Sequence, residues 1–498
     1  MLVSPSVIKK GWKTNGGGIM EIGARLFDCI FDPRSVAIIG ASPHDLATIA
    51  QMRTKIRDRL FLVNPKYSEV LGKKCYPSIL DVESEIDYVI LGVSASALPK
   101  VLEECIQKGV RVAHIFTAGF SETGTPEGIE REKELKRKAA GRIRIIGPNC
   151  FGVYCPSSGL SIVPEAPADA GHVGVVTQSG SVAESFSYFA NTNNLRFSKM
   201  VSYGNAIDLD GPDFLEYLAG DPDTKMIALY IEGTRDGARL KTALAKAAKQ
   251  KPVIAIKGGM TEQGMRAATS HTAALAGIPE IWRSLFRQTA ALQVESFDEM
   301  VNILMAFDTS PLPAGRAVAM ITNSGGFSVI QTDLCMKAGI EVPRFSEETI
   351  EALRALVPLA GTSIGNPLDA WPIYYNISPS RNMADIIKIV SSDRGVHSLV
   401  FQFDQFRYLR RVLGRKVETH MTQLIDLMVE GCLHTREKEK KPVFVTVSLH
   451  PYLEDEEDRH YNLMIKRAFA ARGFPVYSNM DAAIKALSNL CKFSQTRR

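Results

Sequence analysis

The sequence predicts an α/β protein of open, mainly parallel sheets, and three observations carry that expectation. From Ser35 onward, short β-branched apolar runs alternate with amphipathic helical stretches. An apolar strand followed by T-x-S-G occurs twice at corresponding places. Hydrophobic residues at 45% and charged residues at 23% match ordinary globular composition, which excludes a mostly disordered, collagen-like or coiled-coil chain. At roughly 150 residues per domain, the 498 residues suggest three folded units. Lys and Arg number 59 against 54 Asp and Glu, and these charges are interspersed, so no basic stripe points to nucleic acid or to an anionic membrane. Eight cysteines, from Cys29 to Cys491, show neither C-x-x-C nor zinc-finger spacing. Neither a disulfide framework nor a structural metal is expected, and a reducing, cytoplasmic setting is.

Taken in order, residues 1–25 are Gly-, Lys- and Ser-rich without periodicity and read as a disordered leader lacking the apolar core of a signal peptide. No apolar run approaches the roughly 18 residues of a membrane span. VAIIGAS, RLFLVNP, DYVILGV, VRVAHIFTAGF and IRIIGPN then read as parallel strands covered on both faces. Residues 98–108 are helical, and the charges of EREKELKRK at 130–138 form a solvated helix face. This describes a Rossmann-like domain over 26–155. Pro/Ala/Ser-rich stretches at 156–171 and 310–315 read as linkers around two further domains, 168–308 and 315–492. Between those domains HVGVVTQSGS parallels AVAMITNSGG, KMIALYIEG parallels HSLVFQFDQ, and KPVIAIKGG parallels KPVFVTVSL, all in the same order. Two tandem flavodoxin-like domains account for the repeat.

Open parallel sheets bind ligands beyond the C-terminal strand ends, where helix N-termini present unpaired N–H groups. Gln178-Ser179-Gly180-Ser181 and Asn323-Ser324-Gly325-Gly326 have that form. Each start can hold a phosphate or carboxylate, the helix end contributing about 0.3–2 kcal/mol, although alone each reads first as a plain cap. Gly40-Ala41-Ser42 ends the first strand without G-x-G-x-x-G, and the second strand ends in Asn64-Pro65 rather than at an acidic residue. A nicotinamide dinucleotide is therefore disfavoured, and a phosphorylated ligand meeting Ser42 and Lys66 fits better. His271 lies in GGMTEQGMRAATSHTAALAGIP, a small-residue loop after the strand KPVIAIK. A neutral imidazole there can accept a phosphoryl group if a carboxylate such as Glu232 orients its other nitrogen. The alternatives are an ordinary surface histidine and a helix-capping glutamate.

FDPRSVAIIGAS, VNPK, TAGF, IIGPNCFG, TQSGS, LYIEG, ATSHTAALAG, ITNSGG and GNPLD, in this order from about residue 26 to 490, resemble the α subunit of ADP-forming (NDP-forming) acyl-CoA synthetases, a group with the acetate-CoA ligases in the succinyl-CoA synthetase superfamily. The resemblance implies that the first domain binds coenzyme A through Gly40, Ser42, Lys66, Val93 and Asn149. It implies that His271 is transiently phosphorylated, that Glu232 hydrogen-bonds it, and that Ser179, Gly180, Ser181, Asn323, Ser324, Gly325 and Gly326 hold the phosphate. It further implies an acid-thiol ligase that uses a small carboxylic acid or its acyl-CoA. Mg2+ and ADP or ATP would lie on an ATP-grasp β-type partner in a hetero-oligomer, because G-x-x-x-x-G-K-[ST] is missing here. Two departures stand out: 43–48 lacks the glycines usual after the first G-A-S and adds Asp45, and Ala273 replaces the usual glycine of S-H-T-G. They keep a non-catalytic CoA- or acyl-CoA-sensing subunit as the competing reading. Cys150 is expected either near the CoA thiol or as a small buried hydrophobe.

Overall fold

The computed structural model describes residues 26–161, 163–266, 277–322, 324–357, 363–369, 382–403, 413–447 and 456–497. The leader, His271, Ala273 and Asn323 lie outside the described residues. The chain divides into two compact units, 1–295 and 296–498.

The first unit opens with a sheet of seven strands: β1 Val36–Ile39, β2 Leu60–Val63, β3 Glu69–Val70, β4 Lys73–Tyr76, β5 Tyr88–Leu91, β6 Val112–Ile115 and β7 Arg144–Ile146. Their order is β3-β4-β2-β1-β5-β6-β7, parallel except where β3 meets β4. Without β3 this is the 3-2-1-4-5-6 arrangement of a Rossmann sheet, whose strand order reverses between β1 and β5. Every residue of β1, β5 and β6 is buried, which is why β1 and β5 read as unbroken apolar runs and β6 is interrupted only by His114. The helix Leu98–Lys108 ends at Gly109, whose φ of 79° closes it in the left-handed region. Thr125 caps the helix Pro126–Ala139, accepting from the Gly128 N–H at 3.1 Å. Most of that helix's charges are exposed, as expected, with one correction. Glu132 is buried, accepting from Asn205 Nδ2 at 3.1 Å and Arg235 Nη2 at 3.3 Å, so it ties the first sheet to the second.

The second sheet holds β8 Gly152–Tyr154, β9 Val173–Thr177, β10 Phe197–Ser202, β11 Met226–Ile231, β12 Val253–Lys257 and β13 Leu292–Gln293, in the order β13-β12-β11-β9-β10-β8. Strand β8 is antiparallel to β10 and lies at the edge, so the chain has already crossed from the first sheet before residue 155. That crossing explains why 156–171, expected as a linker, is packed. Gln51 Nε2 donates to Ser161 O at 2.6 Å, Thr54 Oγ1 to Gly159 O at 2.5 Å, and the Tyr154 hydroxyl to Pro167 O.

The second unit carries β14 Val318–Thr322, β15 Leu368–Asp369, β16 Ser398–Phe403, β17 Val443–Val447 and β18 Val476–Tyr477, ordered β15-β14-β16-β17-β18. Setting β8 aside, the second and third sheets share the flavodoxin order 2-1-3-4-5. The sequence repeat is therefore structural: β9 corresponds to β14, β11 to β16 and β12 to β17. The helix Phe297–Thr309 packs within this second unit on the helix Met480–Thr496, where Phe307 and Phe493 meet edge to face at 5.2 Å. Among the described residues no helix is long and apolar enough to cross a membrane.

Candidate active site

At the C-terminal edge of the first sheet, β1 runs into Gly40 at φ 97°, a backbone state that side chains disfavour. A Cβ there would stand 2.5 Å from the Gly92 carbonyl oxygen, so glycine lets the ends of β1 and β5 close on each other at the switch point. Thr117 joins the next two predicted residues: its Oγ1 donates to Val93 O at 2.6 Å, and its carbonyl accepts from the Asn149 N–H at 3.0 Å. Gly40, Val93 and Asn149 thus converge where β1, β5 and β7 end. Lys66 is exposed on the loop after β2, and Asn64 anchors that loop by donating to Ala41 O at 2.9 Å while accepting from the Lys66 N–H at 3.0 Å.

The loop after β1 gives Asp45 a structural role. Ser42 Oγ accepts from the His44 N–H at 3.3 Å, and Asp45 is a helix cap. Its Oδ2 accepts from the Thr48 N–H at 2.8 Å and the Thr48 hydroxyl at 2.7 Å, capping the helix Leu46–Met52. The helix end therefore already has its own anion.

IIGPNCFG is latched from beneath by His114. Its Nε2 donates to Cys150 O at 3.0 Å, and burial pulls the imidazole down to about 4, so the ring is neutral. Cys150 is itself buried and its thiol is pushed up by desolvation, which makes it a packed thiol rather than a nucleophile. The next residue, Phe151, lies edge-on to Phe116 at 5.6 Å and directly against Gly180, where a Cβ would fall 2.3 Å from Phe151 Cδ2.

Gly180 opens the helix Gly180–Asn193 that follows β9. Ser179 caps it: Oγ accepts from the Val182 N–H at 3.4 Å and lies 2.9 Å from Ser181 Oγ. The first-turn N–H groups of Gly180 and Ser181 have no acceptor within the helix, the usual condition for anion binding at a helix start. Gln178 spans the switch point between β9 and β11, its Oε1 accepting from the Glu232 N–H at 2.5 Å and the Gly233 N–H at 3.0 Å. Glu232, only 5% exposed, takes the Tyr230 hydroxyl at 3.0 Å on Oε1. Beside it, Lys257 ends β12 with 4% exposure; burial lowers its ammonium to about 8 although the Glu232 charge opposes the shift. Lys257 Nζ donates to Gly258 O and sits 4.9 Å over the Trp282 ring. Ser179, Gly180, Ser181 and Glu232 are thus gathered at one sheet edge, and the stretch bearing His271 begins one strand away, after β12.

In the second unit Ser324 caps the helix Gly325–Lys337 without a side-chain bond, while its carbonyl accepts from the Ser328 N–H at 3.0 Å. A Cβ on Gly326 would touch nothing, whereas one on Gly325 would lie 3.5 Å from Asp369 Oδ2. This helix start has the buried carboxylate of Asp369 close by. Gln178 as a clamp, Lys257 and Asp369 were not singled out from sequence as site groups. A lysine closing the otherwise apolar strand VIAIK is the one signal that would have found Lys257.

Residues 34–156 match the CoA binding domain family, and residues 170–307 match the succinyl-CoA ligase like flavodoxin domain. The ADP-forming acetate–CoA ligase of Methanocaldococcus jannaschii is 41% identical over 341 residues, which are 68% of this chain and 48% of that protein, so the chain spans about half of that relative's length. The α subunit of ADP-forming acetate–CoA ligase II of Pyrococcus furiosus is 40% identical over 349 residues, covering 69% of this chain and 76% of the subunit. Among solved structures, the acetyl-coenzyme A synthetase 1 of Ca. Korarchaeum cryptofilum in complex with phosphate and ADP matches with a TM-score of 0.79 at 26% identity, over 95% of this chain and 97% of that one.

Proposed function

Because the chain belongs to the ADP-forming acyl-CoA ligases as an α-type chain, we propose that it interconverts acyl-CoA, ADP and phosphate with acid, CoA and ATP through a phosphohistidine at His271. A phosphate oxygen attacks the thioester carbonyl, the C–S bond breaks, and CoA leaves as the thiolate to give an acyl phosphate. A ring nitrogen of His271 then attacks phosphorus and the carboxylate departs. One arrangement carries this reading: the Ser179–Ser181 helix start and the buried Glu232 share the edge of the second sheet, clamped by Gln178. The helix start stabilises the phosphoryl oxygens, and the Glu232 carboxylate accepts a hydrogen bond from the N–H of the imidazole's other nitrogen. In this reading Asn323, Ser324, Gly325 and Gly326 supply a second anion-binding start.

The three domains are taken as 26–155, 168–308 and 315–492, with CoA held by Gly40, Ser42, Lys66, Val93 and Asn149. Mg2+ and ADP or ATP are assigned to an ATP-grasp β-type partner in a hetero-oligomer. Phe327, Val329 and Ile330, exposed immediately after Ser324, support a partner surface there. A cytoplasmic location is supported by eight cysteines that are all free and buried. Incubating the chain with labelled ATP and magnesium tests the division of labour. Alone it takes no label; with an ATP-grasp β-type subunit it does, and acid plus CoA discharge that label. Labelling of the isolated chain would overturn the assignment.

A further inference from the structure

Lys257 is a buried ammonium that the reaction above leaves without a task. It closes β12 in register with Ile231, one residue before Glu232. Among the described residues one oxygen, the Gly258 carbonyl, accepts a hydrogen bond from its Nζ, and the Trp282 ring lies 4.9 Å away beneath it. Burying a charge is costly, and β12 is otherwise apolar, so a methionine would fill this place at a smaller penalty. The lysine therefore needs a reason other than packing.

Both ends of the stretch that bears His271 meet at this ammonium. At the entry, Gly258 is pressed on the site: a Cβ there would stand 2.8 Å from the Tyr230 hydroxyl and 3.3 Å from Glu232 Cγ. At the exit, Gly277 has φ 72°, and a Cβ there would stand 2.8 Å from Trp282 Nε1. The chain thus returns directly against the indole as the helix Pro279–Thr289 begins. Lys257 joins the two ends, donating to the entry glycine's carbonyl while its charge rests on the exit tryptophan. We propose that Lys257 is a positioning residue for phosphoryl transfer: its ammonium clasps Gly258 to Trp282 and so holds both ends of the His271 stretch beside Glu232. The inference rests on the phosphohistidine reading.

The clasp needs the charged form, because a neutral amine has no cation–π attraction. Burial brings this ammonium down to about 8, and the Glu232 carboxylate on β11 opposes that shift. Burial pushes the Tyr230 hydroxyl up, so it stays neutral in this range. The charged groups on the other flanking elements lie at the surface. Glu280 pairs with Arg283 at 3.1 Å, Glu262 with Arg266 at 4.0 Å, and those of the helix Gly237–Gln250 are exposed. The clasp is therefore complete below about pH 8 and is released as pH rises through that value.

Single-turnover phosphorylation of the full chain by labelled ATP and magnesium, with an ATP-grasp β-type subunit present, tests it across a pH series. The wild-type rate is expected to fall on the alkaline side of about pH 8. Lys257→Arg stays charged there and moves the fall to higher pH. Lys257→Met keeps the length and suits the apolar surroundings; it slows labelling by about three- to thirtyfold at neutral pH and abolishes the alkaline fall, with CoA affinity by calorimetry unchanged. Trp282→Phe weakens the same clasp, so the Lys257→Met and Trp282→Phe double variant is no slower than Lys257→Met alone. A Lys257→Met chain with the wild-type rate and pH profile would overturn the clasp while leaving the phosphohistidine in place. An alkaline fall that Lys257→Arg does not move, or additive effects in the double variant, would overturn it equally. No label on the wild type at any pH would overturn the phosphohistidine reading itself and the clasp with it.

Discussion

Acidification should unlatch the loop that carries Phe151. His114 is 3% exposed in β6, bonded to Cys150 O, with its ring packed so closely on Gly152 that a Cβ there would lie 2.3 Å from Cε1. Burial lowers its folded pKa from the ordinary 6.5 to about 4. The unfolded chain therefore binds a proton as pH falls through 6.5, while the folded chain refuses it until about 4. The stability tied to neutral His114 is complete above the unfolded value and is lost as pH falls through that window. Integrated over the shift, the loss is about 2 kcal/mol between about pH 7 and pH 5 and about 3 kcal/mol by pH 4. Carboxylates titrate in the same range, so the informative quantity is a difference. His114→Phe keeps a ring on Gly152 but cannot titrate, and it starts lower by the lost bond to Cys150 O. Urea unfolding of both proteins at a series of pH values should show the wild type losing about 2 kcal/mol more than the variant by pH 5. Parallel pH dependences would refute the claim that this ring is held neutral by burial.

Gly180→Ala forces the Phe151 ring off the helix start, so a stability loss of about 1–3 kcal/mol by urea unfolding should accompany reduced phosphorylation; unchanged stability would mean the ring moves freely. Asp45→Ser keeps the cap on Thr48 while removing the charge, so the fold should hold within about 0.5 kcal/mol and CoA should bind roughly two- to fivefold more tightly by calorimetry. No change would leave Asp45 as a cap alone. Glu232→Gln still accepts the Tyr230 hydroxyl but lacks the charge that favours a protonated ring nitrogen, so rapid-quench phosphorylation should slow by roughly ten- to a hundredfold without vanishing.

The α/β class and the order of the strands were legible because doubly covered parallel strands have little choice but continuous apolar residues, and a duplicated sheet repeats its strand ends. What stayed hidden depends on partners distant in sequence. Nothing local marks β8 as the antiparallel edge of the following sheet, since three residues, Gly152–Tyr154, are too few to show a period. Glu132 sits in a run of charges and is buried only because Asn205 and Arg235 reach it. The strand-end loops at Ser179, Glu232 and Ser324 were readable as helix starts and turns, but the clamp by Gln178 across β9 and β11 requires knowing that these strands are neighbours. Asp45 is the instructive case: its spacing to Thr48 is that of a cap, which the structure shows it to be.

The central claim is that His271 carries the phosphoryl group, and one labelling experiment addresses it directly. Wild type and His271→Asn are each incubated with labelled ATP, magnesium and an ATP-grasp β-type subunit, then split between acid and base. The wild type should acquire label that survives base and is lost in acid, as a phosphoramidate does. His271→Asn, which keeps size and polarity without the nucleophilic nitrogen, should take up none while still folding and binding CoA. Full labelling of His271→Asn, or acid-stable label on the wild type, would contradict the account.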